Sequence, residues 1–250
     1  MGDNLENTTG ALFFISNKQA HQLADLVIAG AGEKNAKAYK EALKDNPSVD
    51  IALFGRMVAD DNYLNVDAAS QVAHAISTHA IQNEYDYFTA VDDCNQADHA
   101  GAGHLGTMEY NSATLYRYAT VNVVELLRTV GADTTDALKG FAEAMIRSMP
   151  TGKQNSYANK TLPDLVYVTV RNDQPVNLCG AFEKPISGSD GYASKSVNAL
   201  FAYAEKVYAD YCGNPVKSFV IGTDAVLGAE KVNINELLAA LGQLEINEVS

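Results

Sequence analysis

Tryptophan is absent from this chain, and cysteine is nearly so. Cys94, Cys179 and Cys212 are odd in number, widely spaced and form no CxxC pair. That argues against a disulfide framework or a cysteine zinc site, and a reducing cytoplasm is the simplest setting. No run of about 18 apolar residues occurs, so no membrane span is expected. The acidic, polar N-terminus does not read as a signal peptide. Cations are scarce: 18 Lys and Arg stand against 31 Asp and Glu, a formal charge of −13. This counts against unaided nucleic-acid binding, whose affinity comes largely from cations at phosphates, although placement matters more than the total. No internal repeat or low-complexity tract is present. What remains is 250 residues with 47% apolar content, enough to bury a real core in one large domain or two small ones.

The pattern mixes helices and strands without strict alternation, which gives an α+β class. Ser16 and Gln19 form a capping box for a helix with Ala20, Leu23, Ala24 and Val27 inward, ended by Gly30 and Gly32. A second helix is predicted over 33–44, with Ala36, Tyr39 and Leu43 inward and Asn46-Pro47-Ser48 as a boundary. Val49 to Phe54 is short and apolar and reads as a buried strand. Asn65 is expected to cap a helix over 66–82, with Val66, Ala69, Ala73, Ile76 and Ala80 on its apolar face. Tyr85 to Val91 and Leu105 to Tyr110 read as the two strands of a protruding hairpin, with 95–103 at the tip. Further on, helices are expected from Asp133 (Leu138, Phe141 and Met145 buried), over 194–211, and after the Asn233/Glu236 cap. Strands are expected over 164–171 and 176–182.

Few residues suggest bond-making chemistry. Asp92 and Asp93 with His99 and His104 offer donors suited to Mn, Fe or Zn, but a glycine-containing loop would have to be ordered first. His74 and His79 lie about 140° apart on a helix, too far for one metal. No nucleophile-elbow motif occurs. Thr151-Gly-Lys-Gln-Asn155 is a polar turn able to cup an anion, but it lacks the spacing of a nucleotide-hydrolysing loop. Arg56, after Gly55, offers a fork for phosphate, and Met57 a pliable apolar group. Arg117 reads equally as a phosphate contact or an ion pair.

Five segments carry a more specific signal. They are Asp50-Ile-Ala-Leu-Phe-Gly-Arg-Met57, Tyr85-Asp-Tyr-Phe-Thr-Ala-Val-Asp-Asp93, Gly103-His-Leu-Gly-Thr107, Tyr116-Arg-Tyr-Ala119 and Pro150-Thr-Gly-Lys-Gln154. In this order and spacing, from about Leu12 to the C-terminus, the chain resembles the backbone subunit of Cascade, the type I-E CRISPR surveillance complex (the CasC family). The resemblance implies a modified RNA-recognition-motif, ferredoxin-like palm with a helical segment and a thumb hairpin. Members carry a longer basic N-terminal region, so the chain looks like the C-terminal two-thirds, with the first strand missing. The divisions it suggests are a helical remnant at 1–48, a palm at 49–185 with the thumb at about 86–110, and a helical part at 186–250.

The resemblance also assigns roles. Phe88 and Leu105, with Tyr87 beside Phe88, would be the prongs that push a guide nucleotide out of its stack. Tyr87 stands where some members have Trp. Met57 would pack on the kinked segment. Arg56, Lys153, Gln154 and Arg117 would contact the RNA backbone, while Phe182-Glu-Lys-Pro185 reads as structural. The implied protein is not an enzyme, takes no cofactor or metal and avoids membranes. Its partners would be the CRISPR guide RNA, target DNA, further copies of itself and other Cascade subunits. Two other readings are a truncated decoy that blocks Cascade assembly and a metal-dependent hydrolase using the Asp/His cluster.

Overall fold

The computed structural model describes residues 12–31, 35–89, 105–224 and 226–246. The capping box at Ser16 forms as its spacing predicts: the Gln19 backbone N–H donates to Ser16 Oγ at 3.0 Å, and the Ser16 N–H to Gln19 Oε1 at 3.0 Å. It starts α1 (Asn17–Ile28). The inward face of α1 is only partly the expected one, with Ala20 and Leu23 half-buried. Ala24 and Val27 are exposed, and the residue fully buried is Gln19. The reason is polar. Gln19 Nε2 donates to the carbonyls of Leu43 and Asp45 at 2.8 and 3.0 Å, capturing the end of α2 (Ala36–Lys44).

Val49–Phe54 is a helix, α3, not the expected strand. A short buried apolar run has no period that separates the two. Here the flanks decide, with Ser48 before the run, Asp50 in the first turn and Gly55 after it. Gly55 takes φ +82°, and a Cβ there would lie 3.0 Å from the Val66 carbonyl oxygen. Only glycine fits that close approach without strain.

The helix expected over 66–82 is also absent. Asn65 starts no helix; it ends a 3₁₀ turn at Asn62–Leu64, and its Oδ1 accepts the Val58 N–H at 2.6 Å. The segment is the outgoing limb of a long antiparallel ribbon. β1 (Ser70–Val72) pairs with β6 (Ala119–Val121), β2 (Ile76–Ser77) with β5 (Leu115–Tyr116), and β3 (Glu84–Thr89) with β4 (Leu105–Tyr110). The three ladders nest like one interrupted hairpin. The apolar stripe read as helical is mostly alanine, with little area to bury, whereas Ser70, Val72, Ser77 and Thr78 are poor helix formers.

His79 pins the ribbon. Its Nε2 accepts the Thr114 N–H at 3.0 Å, so Nδ1 carries the proton and donates to the Ala80 carbonyl at 2.8 Å. The ring stacks on Tyr192 at 3.8 Å. Both nitrogens are committed to the backbone, which removes His79 as a metal ligand. Thr78, buried beside it, accepts a hydrogen bond from Ser196 Oγ at 2.8 Å.

After the ribbon come α4 (Val123–Val130), α5 (Thr134–Arg147) and the one-turn α6 (Gln154–Tyr157). β7 (Val166–Val170) pairs antiparallel with β8 (Lys217–Ile221), and β8 parallel with β9 (Glu230–Lys231). α7 (Ala193–Val207) runs on through a π turn to Gly213, close to the helix expected over 194–211. Residues 176–182, expected as a strand, contain a 3₁₀ turn at Cys179–Phe182. The Asn177 side chain accepts the Cys179 N–H at 3.0 Å and folds the chain back.

The three-stranded sheet is covered on both faces. Val168, Val170, Phe219 and Ile221 pack with Leu138 of α5 and with Leu237 and Leu241 of α8 (Ile234–Gly242). Tyr167 and Val220 pack on the opposite side against Val197 and Phe201 of α7. The β-period of two separates these faces residue by residue. The Asn233/Glu236 capping box forms at the start of α8. A further cluster of Ala52, Leu53, Ala69, Leu126 and Ala137 joins α3, the ribbon base, α4 and α5. Among the described residues, no helix is long and apolar enough to cross a membrane.

Candidate nucleic-acid interface

The β3–β4 ladder fixes which side chains share a face. Phe88 pairs with Gly106, Asp86 with Met108 and Glu84 with Tyr110; these six lie on one side. Thr89 pairs with Leu105, Tyr87 with Thr107 and Tyr85 with Glu109, and these lie on the other. Phe88 and Leu105, expected to act together, are therefore on opposite faces. Leu105 shares its face with Tyr87 instead, diagonally across the ladder. Leu105 and Tyr87 are 65% and 62% exposed, and Phe88 is 41% exposed.

Phe88 lies across β4. A Cβ on Gly106 would stand 2.6 Å from its Cζ, so the missing side chain makes room for the ring. The same face continues to Tyr157 of α6, whose hydroxyl lies 3.4 Å from Met108 Sδ and whose ring centroid lies 6.0 Å from that of Tyr110. The structure thus brings the 150–157 loop against the hairpin. Met108, Tyr110 and Tyr157 were missed in the sequence. The first two follow from antiparallel register once Phe88 is placed, but nothing local links Tyr157 to them.

In that loop Lys153 adopts a left-handed backbone, φ +57°. The N–H groups of Gln154, Ser156 and Tyr157 donate within the turn, to Thr151 and Lys153 carbonyls. The expected anion cup is therefore largely spent on local bonds, and the exposed Lys153 ammonium is the loop's available charge. Gln154 is partly buried, and its Oε1 has no hydrogen-bond donor among the described residues. Among the described residues, nine cations, each from a different Lys or Arg, form salt bridges. Arg117, Lys153 and Lys160 have no carboxylate partner among the described residues. Arg117 instead donates to the Ser148 carbonyl at 3.3 Å and lies 3.6 Å from Met145 Sδ, tethering the ribbon to the end of α5. A cation suits a helix C-terminus.

Arg56 is corrected by the structure. It is only 5% exposed. Its Nε and Nη2 donate to the Leu64 carbonyl at 3.0 and 2.9 Å, Nη2 to the Leu43 carbonyl at 2.8 Å, and Nη1 to the Phe14 carbonyl at 3.1 Å. The guanidinium also sits 5.2 Å from the Phe13 ring. Burial pulls its pKa below the ordinary arginine value. Arg56 is thus a buried tie rather than a phosphate fork. The adjoining Met57 is 83% exposed.

Tyr116, at the ribbon's return, donates to Asn177 Oδ1 at 3.0 Å and accepts the Leu178 N–H at 3.1 Å. Burial pushes its pKa up to about 12. The expected metal residues Asp92, Asp93, His99 and His104 lie outside the described residues, as does the hairpin tip. Among the described residues, no three His, Cys, Asp or Glu side chains gather as a metal site.

The profile of the CT1975-like protein family matches residues 2–244. A solved chain from a "CRISPR RNA-guided surveillance complex, pre-nicking" is 32% identical with a TM-score of 0.75; the match covers 93% of this chain and 70% of that one. A chain from a "CRISPR RNA-guided surveillance complex" is 31% identical with a TM-score of 0.68, covering 91% and 86% respectively. No curated protein sequence matches.

Proposed function

The chain belongs to the CT1975-like protein family, and from that premise we propose that it is a structural subunit of a CRISPR RNA-guided surveillance complex. In this reading it grips guide RNA and makes or breaks no bonds. The observation that carries it is the likeness over 93% of the chain to a surveillance-complex subunit. The ribbon adds a physical rationale. It carries Tyr87 and Leu105 on one exposed face and Phe88 beside Met108 on the other. Apolar and aromatic groups of this kind stack on base faces without reading sequence.

The charges divide the labour. Glu84, Asp86 and Glu109 on the ribbon would repel phosphates, so the ribbon meets bases. Lys153, Lys160 and Arg117, which have no carboxylate partner among the described residues, meet the backbone. Met57 supports the displaced segment. Repetition of the subunit along the guide, in type I-E manner, would hold the RNA extended before target DNA arrives. Part of the ordering entropy is then lost before pairing begins, and sequence is read by base pairing alone. The sheet β7–β8–β9 would serve as the palm.

Co-expression with guide RNA and the other complex subunits tests this. Phe88→Ala and Leu105→Ala should each lower recovery of guide-bound complex, and together by roughly tenfold or more, since a lost aromatic stack at Phe88 costs about 1–3 kcal/mol and truncating Leu105 removes apolar contact besides. Full recovery with the double variant, at unchanged thermal stability, would refute the thumb assignment.

A further inference from the structure

A groove of about 520 Å³ runs between α3 and α5, on elements the guide-RNA reading does not use. Its floor is apolar: Leu53, Phe54, Ala137, Phe141 and Ala144. Phe54 is 62% exposed there, with its ring centroid 6.4 Å from that of Phe141. The rim is acidic. Asp50 stands in the first turn of α3, Asp136 in the first turn of α5, and Asp133 just ahead of it. No cation is among the described lining residues. The two carboxylates with partners make solvent-exposed pairs, Asp133 with Lys18 at 3.7 Å and Asp136 with Lys139 at 2.7 Å. Such pairs exchange at little cost.

Gly140 is the telling residue. It lies within α5, where glycine is the worst helix former after proline. A Cβ there would meet none of the described residues within 4 Å. The chain's own packing therefore gives no reason for glycine. Its absent side chain leaves the backbone of α5 bare on the groove floor, between Ala137 and Ala144. Bare backbone beside the exposed Phe54 and the half-buried Phe141 admits a close-packed helix, and three carboxylates call for cations on it.

We propose that the α3–α5 groove docks an amphipathic helix of a protein partner, apolar on one face and carrying Lys or Arg along its edges. The partner's apolar residues cover Phe54 and Phe141, its backbone nears Gly140, and its cations meet Asp50, Asp133 and Asp136.

The test uses the full chain without RNA, so it stands or falls apart from the guide reading. The probe is a synthetic Leu/Lys peptide about three helical turns long, with a scrambled peptide of equal composition as control, followed by fluorescence anisotropy. The ordered peptide should bind well above the control. Gly140→Ala should raise Tm by about 2–4 °C yet weaken the peptide several-fold, and Gly140→Leu at least tenfold. Asp50→Asn with Asp136→Asn should weaken it and flatten its salt dependence. Equal binding by the scrambled peptide, or by the Gly140→Leu variant with its Tm intact, overturns the proposal. So does self-association of the wild-type chain that Gly140→Leu abolishes, because the occupant would then be a second copy.

Discussion

Replacing Arg56 separates two accounts of this chain most sharply. If Arg56 gripped phosphate, its loss would spare the fold and cost RNA. The structure gives the opposite expectation. Arg56 is the donor that satisfies the Leu64 carbonyl, through two bonds of 2.9 and 3.0 Å, and it shares the Leu43 carbonyl with Gln19. In Arg56→Met the volume is roughly kept, but the Leu64 and Phe14 carbonyls lose their donor and Gln19 loses a neighbour. Stranding the buried Leu64 carbonyl costs about 1–3 kcal/mol, whereas Phe14 is 60% exposed and water can replace its donor at small cost. Relief from burying a guanidinium that has no carboxylate partner among the described residues offsets part of that. A net loss of roughly 2 kcal/mol follows, or about 4–8 °C in Tm for a chain of this size. Arg56→Lys decides the matter. Lysine keeps the charge, which a phosphate contact tolerates, but cannot span three carbonyls with a planar fork. It should therefore lose most of the same stability in a far-UV circular dichroism melt. A Lys variant with a wild-type melt and unchanged RNA retention would refute the buried-tie account.

Other measurements bear on neighbouring parts of the molecule. Stability should fall as pH climbs from about 10 toward about 12. Burial raises the Tyr116 pKa, so its contribution is whole below the unfolded value near 10 and is lost as the folded group ionises. Tyr116→Phe should flatten that part of the profile, and an identical profile in the variant would exclude Tyr116 as its source. Lys153→Glu should reduce RNA binding and its salt slope by about one counterion; an unchanged slope means the ammonium touches no phosphate. Gly106→Ala should push the Phe88 ring off β4 at a cost of no more than about 1 kcal/mol, because the atoms displaced are the far edge of a partly exposed side chain; a much larger loss in the melt would show that the ring is held on β4.

Local signals in the sequence settled local structure. The capping boxes at Ser16/Gln19 and Asn233/Glu236 act within four residues, and both formed as read. The hairpin at 84–110 was legible because its aromatic strands pair with sequence neighbours. Kinship with chains of CRISPR surveillance complexes was legible too, carried by five short segments. What failed depended on distant partners. Residues 66–82 became a strand limb because their hydrogen bonds go to residues beyond 110, which no helical periodicity reports. Val49–Phe54 is too short for its period to show.

The site divides in the same way. That Phe88, Tyr87 and Leu105 sit on one hairpin was a sequence fact. That Phe88 and Leu105 point to opposite faces was set by register, where a shift of one residue reverses every side chain. Arg56 looked like a phosphate ligand because a sequence shows a charge without its surroundings. Only folding brings the carbonyls of Phe14, Leu43 and Leu64 around it, from three separate stretches of chain, and buried polar groups must find partners wherever the backbone delivers them.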